Sequence, residues 1–176
     1  MPQGVVIIGV QWGDEGKGKI VDYYAAEADV VARFQGGNNA GHTLVVQGKQ
    51  TILHLIPSGI LHPHAECVIG SGVVVDPEVF LQEVDVLRKA GIPDLERRLA
   101  LSDRAHVILD YHRKLDAARE GFARDGKIGT TKRGIGPAYE DRAARRGIRI
   151  ADLYNEKTFA ERLAQNFAEK NFLLKE

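Results

Sequence analysis

GVVIIGVQWGDEGKGKIVDYYAAEA, Gly4 to Ala28, is the stretch from which the fold is read. Gly4 to Val10 is nearly continuous in apolar and β-branched residues, the composition of a strand covered on both faces, as in a parallel sheet. Gln11 to Lys19 then supplies four charged residues and three glycines, and Ile20 to Ala28 carries the alanines and spaced apolar residues of a helix. Strand, glycine-rich turn, helix is the predicted order. Such a turn aims backbone N–H groups and the positive end of a helix at one point, which suits a phosphate.

Working outward, Asp29 to Phe34 reads as a second strand, and GGNNAGHT follows at Gly36 to Thr43. TLVV and TILHL, with Gly48 in the turn between them, predict a β-hairpin. Glu66 to Ile69 and Gly72 to Val75 have the character of buried strands. Asp76-Pro77-Glu78 combines a cap, a proline at the first helical position and an acid in the first turn, so a helix is expected to about Ala90 with Gly91 as its stop. Its inward residues are Val79, Phe80, Val84 and Leu87. Leu99 to Leu101 and Val107 to Leu109 are short apolar segments, Asp110 opens a helix through Arg119, and Glu156 to Glu176 predicts a last helix with Phe159, Leu163, Phe167 and Phe172 inward. Alternation of this kind indicates an α/β fold.

The composition is that of an ordinary globular chain: 176 residues, 44% hydrophobic, 27% charged, with 24 basic against 24 acidic side chains. A chain this long buries well over half of its unfolded surface and needs no disulfide or metal staple. Cys67, the single cysteine, can build neither a disulfide framework nor a zinc cluster and is expected in the core. No apolar run is long enough for a bilayer, and no signal pattern opens the sequence, so a cytoplasmic location is expected. Zero net charge removes any global argument for nucleic-acid or membrane binding.

Three segments carry chemistry. In GDEGKGK, Gly13 to Lys19, Lys17 would sit close to outer phosphates, but Gly18 stands where a phosphate loop usually has the serine or threonine that binds magnesium. Asp14, a hard oxygen ligand, is the nearest replacement. In GGNNAGHT, His42 can give a proton near neutral pH, so Asp14 and His42 could place a base and an acid beside one phosphate. The commoner fate of such a histidine is to satisfy a loop carbonyl. His62 and His64, flanking Pro63, have no third ligand at metal-like spacing. From Arg124 to Arg149 there are eight Lys or Arg against three Asp or Glu, a local net charge of +5. Thr130, Thr131 and the forked arginine donors suit an anion; a solvated basic face or an RNA contact is the alternative, though Tyr139 is the only aromatic residue to stack a base.

WGDEGKGK, QGGNNAGHT, LHLIPSGIL and IGTTKRGIGPAYEDRAARRG, in that order, resemble adenylosuccinate synthetases, and the likeness extends from Val5 onward. The resemblance implies a P-loop NTPase-like α/β fold with a largely parallel central sheet flanked by helices, incomplete in this chain, and a single α/β domain over residues 1–176 that is the N-terminal part of a longer enzyme. It implies GTP-dependent joining of IMP to L-aspartate through a 6-phosphoryl intermediate. In that reaction Asp14 would take the N1 proton of IMP and His42 would act as acid toward the phosphate. Gly13, Asp14, Glu15, Gly16, Lys17, Gly18, Lys19, Gly41, His42 and Thr43 would touch GTP, and Asp14 with the Gly41 carbonyl would hold Mg²⁺. IMP would meet Asp14, Glu15, Gly16, Lys17, Asn39, Ala40, Gly41, His42, Thr131 and Arg145, the last reaching across a homodimer to the partner's IMP.

The same resemblance places the guanine-recognising segment and the aspartate-binding loop beyond this chain, so the chain alone is expected to lack turnover. The alternatives are a GTP-binding switch or hydrolase without IMP chemistry, which would show no coupling between IMP and a GTP analogue, and an RNA-binding module, whose affinity would fall steeply with salt.

Overall fold

The computed structural model of the protein describes residues 4–10, 16–39, 41–46, 49–122 and 131–173, with the backbone alone at 42–46, 49–51, 122 and 173. Helix α1 is Lys17–Ala25, beginning three residues earlier than expected because Gly16, in a left-handed conformation at φ 83°, caps it. Strand β1, Val30–Arg33, is followed by the antiparallel hairpin of β2, His42–Val46, and β3, Lys49–Leu53, with His42 opposite Leu53. A 3₁₀ turn at Ser58–Leu61 leads to β4, Glu66–Ile69, and β5, Val74–Val75.

Helix α2, Pro77–Lys89, starts as its sequence predicts. Asp76 accepts from the amides of Glu78 and Val79 at 3.2 and 3.3 Å, and Pro77 occupies the first turn, where its missing N–H costs nothing. A short α3, Leu95–Arg98, precedes β6, Leu99–Leu101, and β7, His106–Val107. Then come α4, Asp110–Phe122, α5, Ile135–Ala143, a 3₁₀ turn at Ile150–Tyr154 and α6, Glu156–Leu173.

Strands β1, β4 and β6 form a parallel sheet in that order, and β5 pairs in parallel with β7. This is the helix-flanked, largely parallel α/β arrangement expected. Leu53, Leu55, Ile56, Ile60, Cys67, Ile69, Val73, Val75 and Leu87 are fully buried and make one core between the sheet, α2 and the 3₁₀ turn. Val79, Phe80 and Val84 pack against it, so the predicted inner face of α2 is correct, and Cys67 lies in the core as expected.

Three expectations need correction. Gly4 to Val10 is not a strand: the described sheets leave it unpaired, and Val6 and Val10 are 77% and 93% exposed. An apolar run becomes a strand only when a neighbour takes its backbone hydrogen bonds, and among the described residues none does. Leu109 also lies outside β7. On α6, Phe167 and Phe172 are 42% and 66% exposed, whereas Asn166 and Lys170 are buried. The inward face of that helix is polar because it meets a buried carboxylate, Asp141. Helix α5 lies in a segment whose sequence reads only as basic.

Candidate functional site

The loop after β1 is fastened from four directions. Gly36, at φ 83°, bridges to Val73, and its carbonyl accepts from the amide of Val74 at 2.9 Å. Its own amide donates to the Tyr139 hydroxyl at 2.8 Å, and that hydroxyl donates to the Gly72 carbonyl at 2.8 Å. Arg33 donates to the carbonyls of Gly37 and His54, tying the loop to the end of the hairpin. Burial pushes the Arg33 guanidinium below its ordinary value, with Glu83 and Tyr139 acting in the opposite direction.

Asn38 is 3% exposed; its Nδ2 donates to Asp76 Oδ2 at 3.3 Å, while its Oδ1 has no hydrogen-bond partner among the described residues. The Asn38 carbonyl accepts from Arg133, whose Nη1 also lies 3.5 Å from His54 Nδ1. The second and third sequence motifs, 95 residues apart at this contact, therefore meet.

The first half of the LHLIPSGIL motif, Leu53 to Ile56, lies beside this loop, and its polar backbone needs partners because Leu53, Leu55 and Ile56 are buried. Glu83 supplies them. Its carboxylate accepts from the amides of His54 at 2.5 Å, Leu55 at 3.1 Å and Ile56 at 2.9 Å. Sequence reasoning missed this residue, although the helical spacing that puts Val79, Phe80, Val84 and Leu87 inward also turns position 83 inward, and an acid there signals a buried anion site.

Helix α5 begins at Gly134, whose amide donates to Asp116 Oδ2 at 2.9 Å, and ends in a turn where Arg145 holds a left-handed conformation at φ 62°. Gly147 follows against the ring of His106: a Cβ there would lie 2.4 Å from His106 Cδ2. Arg145 lines a cleft of about 410 Å³ with Arg104, His106, Arg142, Arg149 and Arg162. Burial, reinforced by Arg142 and Arg149, holds the imidazole of His106 below its ordinary value, against an opposing pull from Asp152, so no extra cation is added to the cleft at neutral pH.

The predicted site residues distribute as follows. Gly13, Asp14, Glu15 and Ala40 lie outside the described residues. Gly16 caps α1, and Lys17, Gly18 and Lys19 form its first turn. Asn39 and Gly41 are exposed on the fastened loop, and His42 and Thr43 open β2, where the backbone alone is described. Thr131 is exposed two residues before Arg133, next to the meeting point of the motifs. Arg145 is elsewhere: its cleft is lined by none of residues 36–43. Among the described residues no group of three or more His, Cys, Asp or Glu could hold a metal ion.

A helix-flanked parallel sheet with a glycine-capped helix start defines an α/β protein. The family model described as adenylosuccinate synthetase matches residues 6–176, and the chain belongs to that family. The curated adenylosuccinate synthetase of Syntrophus aciditrophicus is 65% identical over 170 residues, 97% of this chain and 39% of its own length. The fully ligated adenylosuccinate synthetase structure from Plasmodium falciparum superposes with a TM-score of 0.83 at 40% identity, covering 94% of this chain and 38% of that one. The succinoaminodeoxyadenylate synthetase of cyanophage S-2L, bound to dGMP and dATP, gives 0.60 at 32% identity over 77% of this chain and 36% of that one. The chain thus spans about two fifths of the length of these relatives.

Proposed function

We propose that this chain carries the IMP-binding and phosphate-gripping part of a cytoplasmic adenylosuccinate synthetase, which joins IMP to L-aspartate at the expense of GTP. The observation that supports this best is the Arg133 to Asn38 contact, which joins the segment two residues after Thr131 to the residue before Asn39. Two polar loops far apart in sequence are thereby held against each other by a part-buried hydrogen bond, and Asn39, Gly41 and Thr131 beside it are in solvent and available to a ligand.

In this reading Asp14 takes the N1 proton of IMP, so that the 6-oxygen attacks the γ-phosphate of GTP. His42 gives a proton toward the phosphate oxygens, and the amino group of aspartate later displaces the phosphate. Gly13 to Lys19 grip GTP through backbone amides and the lysine charges at the start of α1, a region with no acid in its first turn to compete. Gly41, His42 and Thr43 touch the same nucleotide. IMP lies against Asp14, Glu15, Gly16, Lys17, Asn39, Ala40, Gly41, His42 and Thr131, and Arg145 of one protomer meets the IMP phosphate of its partner.

Mg²⁺ prefers hard oxygen donors and keeps phosphate and water oxygens in the rest of its shell. A carboxylate at Asp14 and the carbonyl of Gly41 fit that preference. The backbone at Gly41 runs tightly against its surroundings, since a Cβ there would come within 3.0 Å of Ile52 Cγ2 and 3.1 Å of His54 Cε1. When bound, the ion would neutralise charge on the transferring phosphoryl group.

In the whole synthetase carrying this chain, Asp14→Asn and His42→Asn should each abolish adenylosuccinate formation while leaving IMP affinity nearly unchanged. Normal turnover by either variant would remove its assigned role, and a GTP analogue that leaves IMP affinity untouched would favour a simple nucleotide switch.

A further inference from the structure

We infer that α6 is a clamp whose buried Lys170 and Asn166 are positioning residues for Arg145, holding it in the left-handed conformation that aims its side chain into the arginine-lined cleft. The inference deepens the reading of Arg145 as a phosphate-binding residue and rests on it for its functional arm.

Helices commonly end with one residue in the left-handed region, and that residue is usually glycine. Here α5 ends at Ala143, the cap is Ala144, and the left-handed position falls on Arg145, with the nearest glycine two residues late at Gly147. A non-glycine residue disfavours this conformation by roughly tenfold, so something must hold it.

The turn is closed from inside by the Asp141 carbonyl, which accepts from the amides of Arg146 at 2.8 Å and Gly147 at 2.9 Å. It is closed from outside by α6. Lys170 Nζ donates to Asp141 Oδ1 at 2.6 Å, Asn166 Nδ2 donates to the Arg146 carbonyl at 3.2 Å, and Glu169 pairs with Arg146. One face of a single helix therefore grips residues on both sides of Arg145. Asp141, Asn166 and Lys170 are all buried, whereas the guanidinium of Arg145 makes no hydrogen bond to the described residues and is exposed. The turn is held from both sides, and the Arg145 side chain is left for a ligand. Burying an asparagine and a lysine on a helix whose Phe167 and Phe172 lie half in water is otherwise costly.

The test uses Lys170→Met, Lys170→Arg and Asn166→Ala in the full chain, with circular dichroism to establish folding. The backbone angle of Arg145 is read from its amide-to-Hα coupling and Cα shift by NMR. Lys170→Met should move Arg145 out of the left-handed region and weaken IMP binding about tenfold. Lys170→Arg should restore both, and Lys170→Met should add nothing to the loss already caused by Arg145→Ala. If Lys170→Met unfolds the chain, Asn166→Ala serves in its place.

An unchanged Arg145 angle in the folded variant, or fully additive losses with Arg145→Ala, would overturn the clamp. Should Arg145→Ala itself leave IMP affinity intact, the phosphate-binding reading fails, and the NMR angle still decides whether α6 holds the turn.

Discussion

The amide of Gly36 donates to the hydroxyl of Tyr139 across 103 residues of sequence, at 2.8 Å, and this contact helps to join the glycine-rich loop to α5. Tyr139→Phe keeps the ring but leaves that amide and the Gly72 carbonyl without their partner. We expect a loss of about 1–3 kcal/mol of stability and faster hydrogen exchange at Gly36 than at Val74, whose bond to Gly36 remains. Unchanged exchange at Gly36 would show that the hydroxyl is not its anchor.

Glu83 answers three successive amides with two oxygens, so Glu83→Gln replaces one acceptor by an NH₂ aimed at other donors. The cost should be about 2–4 kcal/mol, read as a lower urea midpoint with an unchanged slope. A midpoint equal to that of the parent would mean the strap from His54 to Ile56 is held by its apolar side chains alone.

Burial pushes the Asp141 carboxyl upward, but hydrogen bonds from His112, Lys170 and Tyr111 outweigh it and hold the group well below the usual carboxylate range. Because the folded-state value is depressed, the stabilisation is present above the unfolded value near 4 and is lost as pH falls toward the folded one. Asp141→Asn should therefore cost stability at pH 7, and the gap to the parent should narrow steadily below about pH 4. Melting temperatures measured from pH 7 down to pH 2 will decide; a gap that widens in acid contradicts the assignment.

The Cys67 thiol is fully buried, faces the Pro57 carbonyl at 3.7 Å, and is pushed by burial up to about 12, with Arg98 opposing. It should resist iodoacetamide at pH 8 in the folded chain and react promptly in denaturant, since only the thiolate attacks. Mass spectrometry before and after denaturation distinguishes the two, and rapid labelling of the folded chain would contradict its burial.

Much of the fold was legible where local chemistry decides it. Asp76, Pro77 and Glu78 announce α2 without help from the rest of the chain, and the alternation on either side of Gly48 announces the hairpin. Gly4 to Val10 failed because strand formation is a bargain between neighbours that composition alone does not reveal. Helix α5 was hidden by Gly136 and Pro137, yet a proline in a first helical turn removes only an amide that has no partner there. On α6, Lys170 faces inward because of Asp141, and Asn166 because of the Tyr111 hydroxyl and the Arg146 carbonyl, all distant in sequence.

For the site, the glycine clusters marked the loops and helical spacing marks Glu83, while the other groups that hold the loops, Arg33, Arg133 and Tyr139, are identifiable only once the chain has folded. The expected pairing of Asp14 with His42 falls partly outside the described residues.

The two oxygens of Asp76 serve different neighbours: Oδ1 seats the first turn of α2, while Oδ2 takes Asn38 and, at 2.7 Å, Arg113 from α4. A carboxylate is a rigid plane, so turning one oxygen turns the other. If Asn38 swings outward when its loop closes on a guest, Arg113 becomes the sole tether on that side, and the plane pivots against the helix it seats. Asp76 thus ties loop, α4 and the start of α2 together through a single carboxylate.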